Sequence, residues 1–233
     1  TYGNPLSQLT TASDPLEPPW PEVVISCGRR SAPLALAIKK QNQGRTFCIH
    51  IQDPLYHHED FDLIVSPEHD HLKGPNVLAT RGALHKVTPR KLDEGVKLYG
   101  ELFHHLPRPY STVLLGGATN RYKMPVEAMA DLIQQILLIR EKTQGSVLVT
   151  PSFRPPFRNR LIQALVQEER IFLADIEHQN PYLGMLGLAD YLFVTDDSVN
   201  MVCEACVTGK PVYILPLLKH GKTKPKQFIR GLV

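Results

Sequence analysis

The sequence predicts an α/β protein whose strands form parallel sheets. Short apolar runs of four to six residues alternate with helical segments, and most of these runs end in turns rich in Gly, Asp or Ser. Residues 189–217 give the clearest pattern, since a strand at 191–194 leads through a polar turn into a helix around 201–207 and then a strand at Val212–Leu215. In such a βαβ arrangement, the carboxyl end of a buried strand opens a helix.

Composition limits the classes of partner. The chain has 233 residues, 42% hydrophobic residues and a formal charge of only +3, which does not favour nucleic acid as a partner. No apolar run approaches the roughly 20 residues that span a bilayer. We therefore expect a cytoplasmic protein with reduced cysteines, and the lysines within 219–226 leave contact with a membrane surface open.

The chain divides into three predicted parts. Residues 1–21, rich in Pro, Ser and Thr, are predicted to form a linker or extended lead-in. A break at Pro107-Arg108-Pro109 separates a first domain, 22–109, from a second, 110–233. The predicted strands lie at 22–27, 46–51, 62–66, 77–80, 112–115, 146–150, 171–174, 191–194 and 212–215. The first predicted helix begins at Ser31. The other predicted helices cover 88–106, 126–142, a segment ending at 169, 182–188 and about 201–207.

Two predicted turns are suited to anions. Gly28, Arg29 and Arg30 follow the first strand, and Ser31 is placed to cap the next helix. Paired guanidinium groups bind phosphate or carboxylate oxygens, although surface arginines on an ordinary loop are the alternative. In the second domain, the turn at 195–198 opens a helix that carries Glu204, a carboxylate suited to the hydroxyl groups of a ribose.

Glycines and histidines mark further loops. Gly116 and Gly117 end a strand and allow close approach of a ligand, with Thr119 and Asn120 beside them. The histidine-rich runs at 57–60 and 68–71 do not match an established metal-ligand spacing, so we expect solvated loops and no bound metal.

Several motifs resemble the ELM family, which groups uncharacterised bacterial proteins with a plant protein of mitochondrial fission. The motifs are ISCGRR at 25–30, IQDP at 51–54, PEHD at 67–70, GPNV at 74–77, RGAL at 81–84, NPY at 180–182, DS at 197–198 and TGKPVY at 208–213. The layout also resembles GT-B glycosyltransferases, in which two Rossmann-like domains face each other across a cleft. The second domain is similar to the peptidoglycan N-acetylglucosaminyltransferase that acts on a lipid-linked sugar. The resemblance further implies that the first βα unit of the N-terminal domain is missing, so that this domain is incomplete in the chain.

The resemblance implies a nucleotide-sugar, of UDP type, on the second domain, with no further cofactor. Glu204 would bind the ribose, backbone amides of the turn would hold the diphosphate, and the loop up to Tyr182 would face the base. The full set of implied nucleotide and phosphate contacts is Gly116, Gly117, Thr119, Asn120, Ser152, Arg154, Asn180, Tyr182, Asp197, Ser198, Val199, Asn200, Met201 and Glu204.

The first domain would face the acceptor or the leaving diphosphate through Gly28, Arg29, Arg30 and Ser31. Asp53 and His69 are candidates for the general base by position only. These roles describe a glycosyltransferase with an unknown acceptor, lipid-linked or at a membrane surface. A non-enzymatic recruitment protein at a membrane and a sugar-nucleotide epimerase are the alternatives, because one fold supports many functions.

Overall fold

The structure is a computed structural model that describes residues 9–10, 12–116, 126–150, 157–217 and 228–229. The chain divides into two units, Thr1–Ala83 and Leu84–Val233. Within the described residues each unit contains one sheet, and every strand pair in both sheets is parallel. The α/β class predicted from the sequence is confirmed.

The first unit carries a four-stranded sheet in which sequence order and spatial order coincide. Its elements are β1 (Val23–Cys27), α1 (Ala32–Gln41), β2 (Phe47–Ile51), β3 (Leu63–Pro67) and β4 (Val77–Thr80). Short 3₁₀ helices at His58–Asp60 and Glu68–Asp70 follow β2 and β3. All four predicted strands are therefore present.

The two faces of this sheet differ. Ala35 of α1 packs with Cys48 and Ile64, and this cluster buries one face. The opposite face is apolar but open, since Ile25 is 67% exposed and Phe47 is 47% exposed. Parallel sheets are usually covered on both faces, so this open surface is an exception among the described elements.

The second unit begins with α2 (Pro89–Tyr99), which continues as a 3₁₀ helix at Gly100–Phe103. Its remaining elements are β5 (Tyr110–Leu114), α3 (Val126–Thr143), β6 (Ser146–Thr150), α4 (Phe157–Leu165), β7 (Ile171–Leu173), α5 (Tyr182–Leu188), β8 (Tyr191–Thr195), α6 (Val199–Cys206) and β9 (Val212–Leu215). The strand order is β7-β6-β5-β8-β9, which is 3-2-1-4-5 when the strands are numbered within the unit. This order is that of a Rossmann-like sheet.

Alternate residues of the central strands face different helices. Val113 and Val149 pack with α3 and α4 through Leu132, Ile136 and Leu161, and all five side chains are fully buried. On the other face, Leu148 packs with Met185 of α5, Phe103 and Tyr110. Both faces of the five-stranded sheet are therefore covered, as the continuous apolar character of its strands requires.

The structure divides after Ala83, whereas the sequence analysis placed the domain boundary after residue 109. The intervening segment packs on the second unit because α2 lies against α5 at a contact between glycines. A methyl group on Gly95 would lie 2.6 Å from Cβ of Leu183, and one on Gly184 would lie 2.8 Å from the Gly95 carbonyl oxygen. The sequence around the prolines does not reveal this packing, because it depends on residues far away in the chain.

Residues on both sides of the predicted break are also joined by hydrogen bonds. Arg108 donates from Nη2 to Asp190 Oδ1 at 2.6 Å, and Asp190 Oδ2 accepts from the Tyr110 amide at 2.7 Å. The Tyr110 hydroxyl donates to the Phe103 carbonyl oxygen at 2.8 Å. The proline-rich segment therefore ends a helix inside the second unit and does not separate two domains.

Candidate functional site

The five-stranded sheet contains a topological switch point between β5 and β8. The chain leaves β5 towards β6 on one side and leaves β8 towards β9 on the other, so the two connections diverge. In open parallel sheets, ligands bind in the crevice that this divergence leaves at the carboxyl ends of the strands. The loops that begin at Leu115 and at Asp196 border this crevice.

Gly116 and Asp197 meet at the switch point. The Gly116 amide donates to Thr195 Oγ1 at 2.8 Å, and Thr195 Oγ1 in turn donates to Asp197 Oδ1 at 2.7 Å. A side chain on Gly116 would collide with the Asp197 carboxylate. Glycine is therefore needed here for close approach of Asp197, and the Gly116 amide is already bonded within the protein.

Asp196, the residue before Asp197, lies at the same edge of the sheet. Asp196 is buried, and its Oδ1 accepts from the Leu217 amide at 3.0 Å. This bond ties the end of β8 to the segment after β9. Asp196 and Asp197 are thus each held by a hydrogen bond within the protein, and the assignment of Asp197 to the nucleotide or phosphate stays a prediction.

The amino end of α6 faces the same edge of the sheet. Ser198 is its N-cap, and Ser198 Oγ accepts from the Met201 amide at 3.4 Å. Since the first amides of a helix have no partner within the helix, those of Val199 and Asn200 remain suited to an anion. The amide of Met201, which the sequence analysis also assigned to the diphosphate, is instead bonded by the cap.

Glu204 lies on α6 and is half-buried. The Tyr182 hydroxyl donates to Glu204 Oε2 at 2.5 Å, which joins the first residue of α5 to α6. Burial, followed by the hydrogen bond and the charge of Glu204, raises the pKa of Tyr182 well above its usual range. Tyr182 is therefore a neutral donor at physiological pH. Glu204 Oε1 has no hydrogen-bond partner among the described residues.

The loop before α5 is organised by its own polar groups. Asn180 is exposed, and its Oδ1 accepts from the Tyr182 amide at 3.2 Å. Arg158 of α4 forms ion pairs with Glu177 and, at 3.8 Å, with Asp175. The hydrogen bond from His178 is the main cause that lowers the pKa of Asp175. The Arg158 charge is thus balanced within this loop.

In the first unit, the turn after β1 has the conformation that glycine allows. Gly28 has φ +80°, and its amide donates to the Ile51 carbonyl oxygen at 3.2 Å. Ser31 is the N-cap of α1, but it makes no side-chain capping bond, because its Oγ donates to the carbonyl oxygens of Cys27 and Gly28. Arg29 and Arg30 are exposed, and no ion pair within the described ranges engages either guanidinium.

The two candidates for a general base follow adjacent strands of the first sheet. Asp53 Oδ1 accepts from the Leu55 amide at 2.8 Å and lies 2.9 Å from His58 Nε2. His69 lies in the 3₁₀ helix after β3 and is half-buried. Sequence reasoning missed the pairing of Asp53 with His58, for which the histidine-rich run at 57–60 was the available signal.

Three groups in the same run have a spacing that could hold a cation. His57, Glu59 and Asp60 each offer one atom, and these atoms lie within 4.8 Å of one another. All three residues are exposed, and exposed acidic groups of this kind are common in proteins that bind no ion there. We assign no metal to this cluster.

Five of the predicted site residues cannot be placed in the structure. Gly117, Thr119, Asn120, Ser152 and Arg154 are not among the described residues. No disulfide joins the four cysteines, all of which lie in the described ranges, and two of them, Cys48 and Cys203, are buried. Within the described ranges, no helix combines the length and the apolar character needed to cross a membrane.

The family model for mitochondrial fission ELM1 matches residues 3–233. The chain belongs to the mitochondrial fission ELM1 family. It is 29% identical over 249 residues to the mitochondrial fission protein ELM1 of Arabidopsis thaliana, covering 96% of this chain and 58% of that protein. It is 26% identical over 253 residues to the uncharacterized protein RP120 of Rickettsia prowazekii, with 91% and 70% of the two chains covered. The ELM1-family chain thus spans little more than half of its plant relative.

Solved structures with a similar fold include two UDP-N-acetylglucosamine 2-epimerases and one protein named a putative UDP-N-acetylglucosamine 2-epimerase. The Neisseria meningitidis enzyme superposes with a TM-score of 0.58 at 16% identity, and the alignment covers 90% of this chain and 62% of that one. The Methanocaldococcus jannaschii enzyme gives 0.54 at 13% identity, with coverages of 91% and 69%. A Listeria monocytogenes protein, named a putative epimerase, gives 0.56 at 16% identity, with coverages of 90% and 60%. At these identities the comparison concerns the fold alone, and the fold class agrees with the prediction.

Proposed function

We propose that this chain binds a nucleoside diphosphate sugar of UDP type and transfers the sugar to an acceptor hydroxyl. The observation that carries the proposal is that α6 begins directly after β8, beside the switch point of a Rossmann-like sheet, and carries Glu204 about one and a half turns from its amino end. The helix amides are suited to a diphosphate, and the carboxylate is suited to two neighbouring hydroxyl groups. A single ligand with both features is a ribonucleoside diphosphate.

The site groups divide between the two parts of this ligand. The amides of Val199 and Asn200 would bind phosphate oxygens, with the partial positive charge of the helix end behind them. Glu204 Oε1 would accept a hydrogen bond from the ribose. A similar fold in the Neisseria meningitidis enzyme, whose structure is described as bound to UDP-GlcNAc, supports the choice of ligand.

In the proposed transfer, an acceptor oxygen forms a bond to the anomeric carbon while the bond from that carbon to the diphosphate oxygen breaks. The electron pair leaves with the diphosphate, and the acceptor proton passes to a general base. Asp53 and His69 are proposed for this base on their residue types alone. Arg154 would stabilise the negative charge on the departing diphosphate, so the proposal requires no resident metal.

An epimerase is the second candidate function. It is favoured by the similarity of the fold to several UDP-N-acetylglucosamine 2-epimerases. The two activities differ in their need for an acceptor. Incubation with UDP-N-acetylglucosamine and no acceptor should change the sugar stereochemistry, as followed by proton NMR, only if the chain is an epimerase.

Non-enzymatic recruitment of a partner is the third candidate, and the name of the family favours it. A recruitment protein has no need for a nucleotide. Failure of the chain to bind any nucleoside diphosphate would therefore leave this candidate and remove both enzymatic ones.

Glu204→Gln tests the proposed binding site directly. Titration calorimetry with UDP should give saturable binding to the wild type and an affinity at least about tenfold weaker for the variant, because a carboxylate is the stronger acceptor. The exposed Glu141 of α3 provides a control with the same change of charge, and Glu141→Gln should bind UDP as the wild type does. Wild-type protein that binds no UDP at millimolar concentration, or equal effects of both substitutions, would contradict the proposal.

A further inference from the structure

Tyr182 and Glu204 form a short polar contact at the candidate site. Their oxygens lie 2.5 Å apart although the residues are 22 positions apart in the sequence. The tyrosine opens α5, and the glutamate lies one and a half turns into α6. The contact therefore fixes the side chain of one helix from another helix.

The geometry leaves the glutamate with one occupied and one available oxygen. Oε2 accepts from the tyrosine, whereas Oε1 has no partner within the part of the chain that the structure describes. A glutamate side chain has three rotatable bonds, and an unrestrained carboxylate would sample several orientations. With Oε2 held, Oε1 is presented in one direction.

We propose that Tyr182 is a positioning residue that orients the Glu204 carboxylate for the 2′- and 3′-hydroxyls of a ribose, and so makes the site selective for ribonucleotides over 2′-deoxyribonucleotides. This inference rests on the proposed function, because it assumes that the switch point binds a nucleoside diphosphate. It goes further by naming the ligand class that the site rejects and the residue through which rejection is enforced.

The chemistry of the pair suits this role. Tyr182 is a neutral phenol that donates one hydrogen bond, and an ionised carboxylate has enough lone pairs for that donor and two hydroxyl donors together. A 2′-deoxyribose lacks one of those donors and leaves the carboxylate incompletely paired. Hydrogen bonds to charged groups are stronger than neutral ones, so the missing donor should weaken binding by about tenfold.

The alternative is that Tyr182 only joins α5 to α6. A purely structural bond would stabilise the fold, and its removal would affect all ligands equally. Discrimination between UDP and 2′-deoxy-UDP separates the two roles, because it depends on the orientation of the carboxylate rather than on the stability of the helices.

The experiment measures the affinities of UDP and 2′-deoxy-UDP for the whole chain and for Tyr182→Phe, which keeps the ring and removes the donor. The wild type should prefer UDP by about tenfold, and the variant should show a preference below about threefold, with the affinity for 2′-deoxy-UDP almost unchanged. Equal preference in both proteins, or an equal loss of both affinities, would overturn the inference while leaving the proposed function intact. A wild type that binds neither nucleotide would overturn both.

A double-mutant cycle with Glu204→Gln provides a second measurement. If Tyr182 acts through Glu204, the loss of preference in the double variant should equal that of Glu204→Gln alone. Additive losses would show that the tyrosine acts independently and would contradict the proposed positioning role. Circular dichroism and thermal melting establish that each variant is folded before its affinities are compared.

Discussion

His50 is a buried titratable residue on β2. Its Nδ1 lies 2.7 Å from Ser26 Oγ, and its ring centroid lies 5.1 Å from that of Phe61. Burial lowers the pKa of His50 below its ordinary value of 6.5, and the charge of Asp53 opposes this shift only in part. The folded protein therefore favours the neutral imidazole.

The sign of the pH dependence follows from this lowered pKa. At pH well above 6.5 the residue is neutral in both the folded and the unfolded chain, so its full contribution to stability is present. As the pH falls towards the folded pKa, the unfolded chain binds a proton that the folded chain does not, and the free energy of unfolding decreases.

We expect His50→Phe to reduce the loss of stability between pH 7.5 and pH 5. One proton bound only by the unfolded chain accounts for at most about 1.4 kcal/mol per pH unit, and the variant lacks this proton. Urea unfolding at several pH values measures the difference. The same substitution at the exposed His105, His105→Phe, is the control. A loss of stability between pH 7.5 and pH 5 that is as large in His50→Phe as in the wild type would contradict the account.

At the scale of secondary-structure elements, the main feature is the close packing of α2 on α5. Gly95 and Gly184 bring the two helix backbones together, and a methyl group on Gly187 would lie 2.5 Å from Val96 Cγ2. Close contact through small residues has little tolerance for added atoms, because interiors are packed to crystal-like density.

Gly95→Ala should therefore destabilise the protein by about 1–3 kcal/mol, even though alanine favours helix formation over glycine. Gly100 begins the 3₁₀ helix that continues α2 and has no atom within 4 Å of an added methyl group. Gly100→Ala is thus a control that should be neutral or stabilising. Denaturant midpoints measure both effects, and a stable Gly95→Ala variant would show that the helices can separate without cost.

Local patterns account for much of the element structure. The strands at Ser146–Thr150 and Val212–Leu215 and the helix at Tyr182–Leu188 have the predicted bounds. The predicted helix at 88–106 instead ends as an α-helix at Tyr99, and β5 begins at Tyr110 rather than at residue 112. Tyr110 joins the strand because it pairs with Ser146, a partner that the local sequence does not reveal.

The candidate site is less accessible to local reasoning. The cap at Ser198 follows from a residue type and its spacing, and the structure contains it. The bond between Tyr182 and Glu204, by contrast, depends on where two helices lie on one sheet. The domain boundary has the same origin, since it is decided by the fit of α2 against α5 rather than by the prolines.

At the scale of the whole molecule, the chain contains two parallel sheets that differ in strand number and in how their faces are covered. The five-stranded sheet is covered on both faces and has a switch point, whereas the four-stranded sheet exposes an apolar face. The groups proposed to bind the ribose and the diphosphate, Val199, Asn200 and Glu204, all belong to the second unit.

Hydrogen–deuterium exchange with and without UDP tests the location of the proposed site most directly. Binding at the carboxyl edge of the second sheet should slow exchange at residues 196–204 and at the start of α5, where the amides of α6 and the pair Tyr182 and Glu204 lie. Residues 146–147 and 189–191, at the amino edge of the same sheet, should exchange unchanged. Saturating UDP that leaves 196–204 unprotected, or protects the amino edge instead, would contradict the proposed site.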